Sequence, residues 1–133
     1  MPVSGLIQSS NMESVALRTT AALTTSYVAL DPVNCEGANT IIIDFAFTKG
    51  SATGFRFKIE KSNDAATYYQ ESVASQSGGV TSHVLNEREY AASANANISV
   101  EIPVTSRWIK ISVKALTSGE SSDLLITFSK AAI

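Results

Sequence analysis

One cysteine, one histidine, one tryptophan and three prolines are all that this chain of 133 residues holds of those four types. Cys35 alone cannot form an intramolecular disulfide, which excludes the disulfide-framed scaffolds of small secreted domains. His83 alone excludes histidine-rich metal centres, so a zinc site would have to lean on carboxylates. Charge is sparse as well: 17% of residues are Asp, Glu, Lys or Arg, and ten basic residues against twelve acidic ones leave a formal net charge of -2. The basic residues are scattered, which gives no electrostatic footprint for nucleic acid or an anionic membrane. Long hydrophobic runs are missing too. The opening "MPVSGLIQSSNMES" offers only Leu6 and Ile7 as an apolar pair, too little for a signal peptide or a membrane span. The expectation is a chain made and folded in a cytoplasm, with neither nucleic acid nor membrane as a partner.

What is present is a hydrophobic fraction of 44%, with Ser, Thr, Ala and Asn in place of charge, arranged with period two. Alternation of this kind puts successive side chains on opposite faces of a strand. In "TIIIDFAFT", Ile41, Ile43, Phe45 and Phe47 face in, while Ile42, Asp44, Ala46 and Thr48 face out. "FRFKIEK" alternates Phe55, Phe57 and Ile59 against Arg56, Lys58 and Glu60. "ISVEIPV" sets Ile98, Val100, Ile102 and Val104 inward, with Pro103 marking a strand end or an edge because it cannot donate a ladder hydrogen bond. "SRWIKISVKAL" buries Ile109, Ile111, Val113 and Ala115 and leaves Trp108 on the polar face with Lys110, Ser112 and Lys114. "LLITF" places Leu124, Ile126 and Phe128 inside. In "SVALRTTAALTTSYVAL" the apolar Val15, Leu17, Ala21 and Leu23 share one parity.

Breakers separate these runs: "DPVNCEGAN", "KGSATG", "SNDA", "QSGG" and "TSGESSD". "ATYYQESVAS" reads as a strand with Tyr68 and Tyr69 on opposite faces, and "VTSHVLNEREY" as a weaker strand or loop. Only "NEREYAASANA" has the composition for a short turn of helix. About eight strands at this spacing predict an all-β fold, a single-domain antiparallel β-sandwich, jelly-roll-like. It would span residues 14 to 133. Residues 1 to 13 lack alternation and read as an N-terminal arm, laid across its own sandwich or docked on a neighbour.

The chemistry-bearing residues do not assemble into a motif. A Cys35–His83 nucleophile pair is thinkable, but Cys35 lies in a turn without the electropositive setting a thiolate needs. Asp44, Glu60, Glu71, Glu87, Glu89, Glu101 and Asp123 supply carboxylates for glycoside hydrolysis, yet most alternate with basic residues as a solvated surface does. "DPVNCEG" brings Asp31, Asn34 and Glu36 into an oxygen-rich loop without the regular spacing of a calcium loop. The Gly-rich stretches are hairpin turns, not strand-to-helix phosphate loops. The reading is a non-enzyme with no metal and no cofactor. Binding residues are easier to nominate. Trp108, Tyr68 and Tyr69 suit either a sugar platform or a protein interface, where Trp, Tyr and Arg concentrate, with Arg107 beside them. Trp108 can equally cap the open end of its own sandwich. Leu6 and Ile7 would be the apolar contacts of the arm.

With "TTAALTTSYVALD" as a first strand, "RWIKISVKAL" as a late one and Ser/Gly turns between, the chain from Thr19 to Phe128 resembles the small β-sandwich virion structural proteins of tailed bacteriophages. The resemblance implies a non-enzymatic subunit of a virion assembled in a host cytoplasm, of the capsid decoration or head accessory type. It implies partners among the major capsid protein or other virion proteins, homo-oligomerisation, and attachment through the arm and sandwich loops. A carbohydrate-binding module for receptor binding or adhesion is the alternative from another class, and a neck or tail subunit is the third. The family supplies no shared motif, so no functional residue is carried over from it.

Overall fold

A computed structural model describes residues 15–117 and 122–131 of the chain. Residues 1–14, 118–121, 132 and 133 lie outside it, and with them the arm, Leu6, Ile7 and most of the "TSGESSD" turn. Twelve strand segments run in order: β1 (Val15–Ala22), β2 (Val28–Ala29), β3 (Val33–Asn34), β4 (Thr40–Thr48), β5 (Gly54–Ser62), β6 (Tyr69–Gln70), β7 (Ser72–Ser77), β8 (Val80–Leu85), β9 (Arg88–Ala91), β10 (Ala96–Pro103), β11 (Trp108–Ala115) and β12 (Asp123–Ala131). All their pairings are antiparallel.

Two sheets make the sandwich. One has the order β1-β12-β4-β10; in the other, β11 lies between β5 on one side and β2 and β3 on the other, and β6 and β9 flank β5. Taking β2 with β3 as one interrupted strand, and β6 with β9 as another, leaves eight strand positions, four per sheet. The first half of the chain pairs with the second half in reverse order: β1 with β12, β2 and β3 with β11, β4 with β10, β5 with β6 and β9. A long antiparallel ribbon rolled over on itself in this way is a jelly roll.

Alternation closes the core. In β4, Ile41, Ile43, Phe45 and Phe47 are buried; in β5, Phe55, Phe57 and Ile59; in β11, Ile109, Ile111, Val113 and Ala115; in β12, Leu124 and Ile126. Phe45 of one sheet meets Phe55 and Phe57 of the other at ring-centroid distances of 5.0 and 4.8 Å. Tyr90 of β9 extends this stack to Phe55 at 5.8 Å. Tilted aromatic packing of this kind adds about 0.5–1.5 kcal/mol per pair beyond the area it buries. Pro103 ends β10, which is an edge strand.

Two expectations are corrected. No helix forms at 86–96, because residues 88–91 pair with Gly54–Phe57 of β5 as strand β9; long-range pairing overrides local helix preference. Cys35 opens the expected turn, its carbonyl accepting the Ala38 N–H at 3.1 Å, while its side chain is part of the core, 1% exposed. The single parity of β1 fails, since its register to β12 shifts between Ala16 and Arg18 and again before Ala21. Such irregularities turn side chains away from strict alternation, and Val15 and Ala21 are exposed while Leu23 is buried.

Candidate functional site

The strand after the "SNDA" turn departs furthest from its expected form. Tyr69 pairs with Lys61 and Gln70 with Glu60, and the Glu71 backbone N–H donates to the Ile59 carbonyl at 3.0 Å. The chain then leaves the sheet, and Arg88 resumes the same ladder opposite Phe57. Glu71 opposite Ile59 and Glu87 opposite Lys58 would continue one register, so residues 72–86 are a fifteen-residue excursion out of an otherwise continuous strand. The excursion is the β7–β8 hairpin, paired among the described residues only with itself and turning at Gly78 and Gly79, whose φ values are 59° and 78°. Two successive positive φ values make the tight hairpin turn that matches strand twist, and glycine takes them without steric cost.

Every residue from Ser72 to Leu85 is exposed. Cross-strand partners share a face, so Val73 with Val84 and Ser77 with Val80 lie on one side, and Ser72 with Leu85 and Ala74 with His83 on the other. Val73, Val80, Val84 and Leu85, between 49% and 64% exposed, are four of the seven exposed large hydrophobic residues among the described residues. The base is held firmly. The Asn86 N–H donates to the Glu71 carbonyl at 2.8 Å, and the Gln70 side-chain amide donates to the Asn86 carbonyl at 3.1 Å. Glu71 also lies 3.2 Å from Arg88 and 3.4 Å from Lys61 in a half-buried ion cluster.

The outer face of the β11 sheet answers the question that Trp108 poses. Trp108 stands between Asn34 and Ser62 on the neighbouring strands and is half-buried within a single chain. The Lys110 ammonium sits 4.3 Å from the centre of the Tyr68 ring, which places Tyr68 on this face. Further along, Lys58 and Lys114 approach the Tyr27 ring at 4.8 and 4.9 Å, where cation–π attraction operates. The Tyr27 hydroxyl donates to the Glu87 carboxylate. Burial first, and then this bond, push the phenol above its ordinary range, while the same bond holds Glu87 below the usual carboxylate range. Ser112, in the same rows, is 3% exposed. The face is thus covered in large part by the chain's own side chains.

Tyr69 points the other way from Tyr68 and is 70% exposed. It borders a groove of about 360 Å³ with Lys61, Asn63, Asp64, Thr67, Thr105 and Ser106 on its walls. The Asp64 carboxylate accepts the Thr67 and Ala66 N–H groups, both at 2.9 Å, and the Ser62 hydroxyl at 2.8 Å. These bonds hold its acid at about 2 and fix a loop in which Ala65 takes φ 59°. Arg107 is next to the groove: its N–H donates to the Asn63 side-chain oxygen at 3.1 Å, and its exposed guanidinium pairs with Glu36 at 3.1 Å. So Trp108 and Tyr68 share one face, while Tyr69 belongs to a separate groove at the end of the sandwich. The three aromatics do not form one platform.

The remaining chemical candidates come apart. Cys35 is in the core, its thiol pushed up by burial and its Sγ 3.6 Å from the Val33 carbonyl. His83 is on the exposed hairpin, 3.5 Å from the Ser72 hydroxyl. Asn34 spends its side-chain oxygen on the Glu36 N–H at 2.9 Å, and Glu36 pairs with Arg107. Among the described residues there is no cluster of three or more His, Cys, Asp or Glu placed to hold a metal ion, and no helix long and apolar enough to cross a membrane.

No family model matches the chain, and no curated protein matches it. Among solved structures, a pilus of Bacillus endospore appendages is 7% identical, with a TM-score of 0.49 over 92% of this chain and 88% of that one. A carbohydrate-binding module of Cellvibrio mixtus lichenase 5A, in complex with cellotriose, is 12% identical, with a TM-score of 0.46 over 93% and 95%. The PRD1 vertex protein P5 is 11% identical, with a TM-score of 0.45 over 89% and 93%. The chain's own two antiparallel sheets, packed face to face, make it an antiparallel β-sandwich.

Proposed function

We propose that this chain is a non-enzymatic virion structural protein, an accessory or decoration subunit that works by binding its neighbours in a particle. The observation that carries the reading is the 72–86 excursion. The sandwich is complete without it, it adds nothing to the core, and its exposed apolar side chains suit contact and no chemistry. The jelly roll recurs in viral capsid and lectin domains, and the texture of the strands resembles phage virion proteins. The decisive test is sedimentation of the native lysate with mass spectrometry of each fraction. The chain is expected with the particle and its major shell protein. Recovery at low mass only would sink the reading.

A second reading is favoured by the groove beside Tyr69. An exposed aromatic ring bordered by Asn63, Thr67 and Thr105 has the makings of a sugar site, in which an aromatic face stacks on the apolar side of a pyranose and side-chain hydroxyls and amides bond its ring substituents. A glycan array tests it: binding that Tyr69→Ala abolishes would favour a carbohydrate-binding module, and a blank array with wild type would remove it.

A further inference from the structure

We infer that the 72–86 hairpin is the surface through which copies of this chain associate with one another. The inference rests on the assembly reading above and names the partner of its main element.

The hairpin cannot owe its order to the sandwich core, because no residue from 72 to 85 is buried. An isolated two-stranded hairpin is marginal in water. Its two outer edges also present unpaired backbone N–H and C=O groups along six residues each, among the described residues. Natural edge strands are usually blunted with lysine, proline or inward charge, and residues 72–86, "SVASQSGGVTSHVLN", contain none of these. This is the longest stretch of the sequence without an acidic residue, lysine or arginine. An edge so unguarded is a pairing surface.

Charge selects the occupant. The chain is acidic overall, so two copies approaching through charged faces would repel. Two copies meeting through this stretch bring no like charges together, and neither leaves an ion stranded in the contact. A partner with a charged docking patch would have to strip its ions of water with no counter-charge offered, which costs several kcal/mol per ion.

Area says how the copies must meet. A six-residue strand is about 20 Å long and two strands are about 10 Å wide, so one face of the hairpin offers roughly 200 Å² in plan. A stable interface needs about 800 Å² per partner. Stacking one face on a neighbour falls short, so both faces and the edges must be covered, as when each copy's hairpin is enclosed by the hairpins of two or more others. The clamp of Glu71 by Arg88 and Lys61, with the Asn86 bond at the base, sets the angle at which the hairpin leaves. That lowers the ordering cost of association.

Sedimentation of the purified full chain tests this. Wild type is expected at a multiple of 14.1 kDa. Val84→Lys, which puts a charge on the valine face at an exposed position, is expected to raise the dissociation constant about tenfold or more, with an unchanged melting profile at dilutions where both proteins are monomers. Excision of residues 72–86, joining Glu71 to Glu87, should give a monomer that still melts cooperatively. Ser99→Lys, on the outer face of the other sheet, should leave the assembly intact. A wild type that sediments as a monomer at every concentration overturns the inference, and so does Val84→Lys at wild-type mass. A monomer that still sediments with particles would overturn it while keeping the proposed function. An oligomer found only free of particles would do the reverse.

Discussion

Gly54→Ala is a single-methyl change that should cost this fold about as much as a core truncation. Gly54 opens β5, pairs with Ala91 of β9, and accepts the Leu116 N–H at 3.0 Å. Its φ is 146°, and a Cβ built there would lie 2.0 Å from the Tyr90 carbonyl oxygen and 2.9 Å from the Ala91 Cα. Both obstacles are backbone, so no side chain can swing aside. To reach the 3.4 Å at which ordinary contacts begin, β9 must recede by 1.4 Å, enough to break the ladder bonds at that end of the sheet. A side chain held at such a φ costs about 1–3 kcal/mol, and forcing extra volume into a packed site costs about 1–3 kcal/mol more. The sum, about 2–6 kcal/mol, is a large share of the roughly 5–15 kcal/mol that holds a domain together.

Thermal denaturation followed by circular dichroism reads this directly. At about 3–5 °C per kcal/mol for a domain of this size, the melting temperature should fall by at least about 6 °C. Gly78→Ala is the control. That glycine also has a positive φ, but open space surrounds its Cβ position. It sits in a hairpin outside the core, so the cost of about 1–2 kcal/mol for a left-handed alanine falls on the local closing of the hairpin, and the melting of the sandwich should stay near that of wild type. Gly54→Ala melting within 2 °C of wild type, or no lower than Gly78→Ala, would refute the collision argument.

Trp108→Ala should destabilise by about 1–2 kcal/mol in urea titrations, below the 3–5 kcal/mol of a fully buried aromatic, because the ring is half-buried; a loss above 3 kcal/mol would make it a core residue. Asp64 has an acid at about 2 in the fold, below the ordinary value of about 3.9. The folded chain therefore binds its proton less readily than the unfolded one, and the stability it contributes is present above about pH 4 and lost as pH falls toward 2. The protection factors of the Ala66 and Thr67 amides, measured against their intrinsic exchange rates at each pH, should fall across that window, and in Asp64→Ala they should be low already at neutral pH.

The two sheets were legible because each central strand has one buried and one wet face. β4, β5 and β11 carry their apolar residues at strict spacing, and the expected strands match β4, β5, β10, β11 and β12 one for one. The expected 14–30 strand, by contrast, covers both β1 and β2, and "ATYYQESVAS" and "VTSHVLNEREY" divide the β6–β9 position and the hairpin between them. The excursion was not legible, for a physical reason. A hairpin exposed on both sides has no buried face to write an alternation into the sequence, so Ser72–Ser77 read as the tail of one strand and Val80–Leu85 as part of a weaker strand or loop. Its one signal was "SGG", and that turn was placed correctly. What separates Tyr69 from Tyr68 and Trp108 is which edge of which sheet each reaches, and that depends on pairing across tens of residues.

The position of the excursion explains why the fold tolerates it. A central strand such as β11 is bonded on both sides, so opening it would orphan two ladders of backbone groups at once. The β6–β9 strand lies at an edge, bonded among the described strands only to β5. Leaving the ladder after Glu71 and rejoining it at Glu87 keeps the register of every residue of β5 that pairs there. The seam is closed by the Glu71–Arg88–Lys61 cluster, which ties the last residue before the excursion to strands on either side of the gap. Substitutions within 72–86 should therefore leave the melting of the sandwich nearly alone, and substitutions at Glu71 should not. If the hairpin carries the association, stability and assembly are separable by residue in this chain, with the border at Glu71.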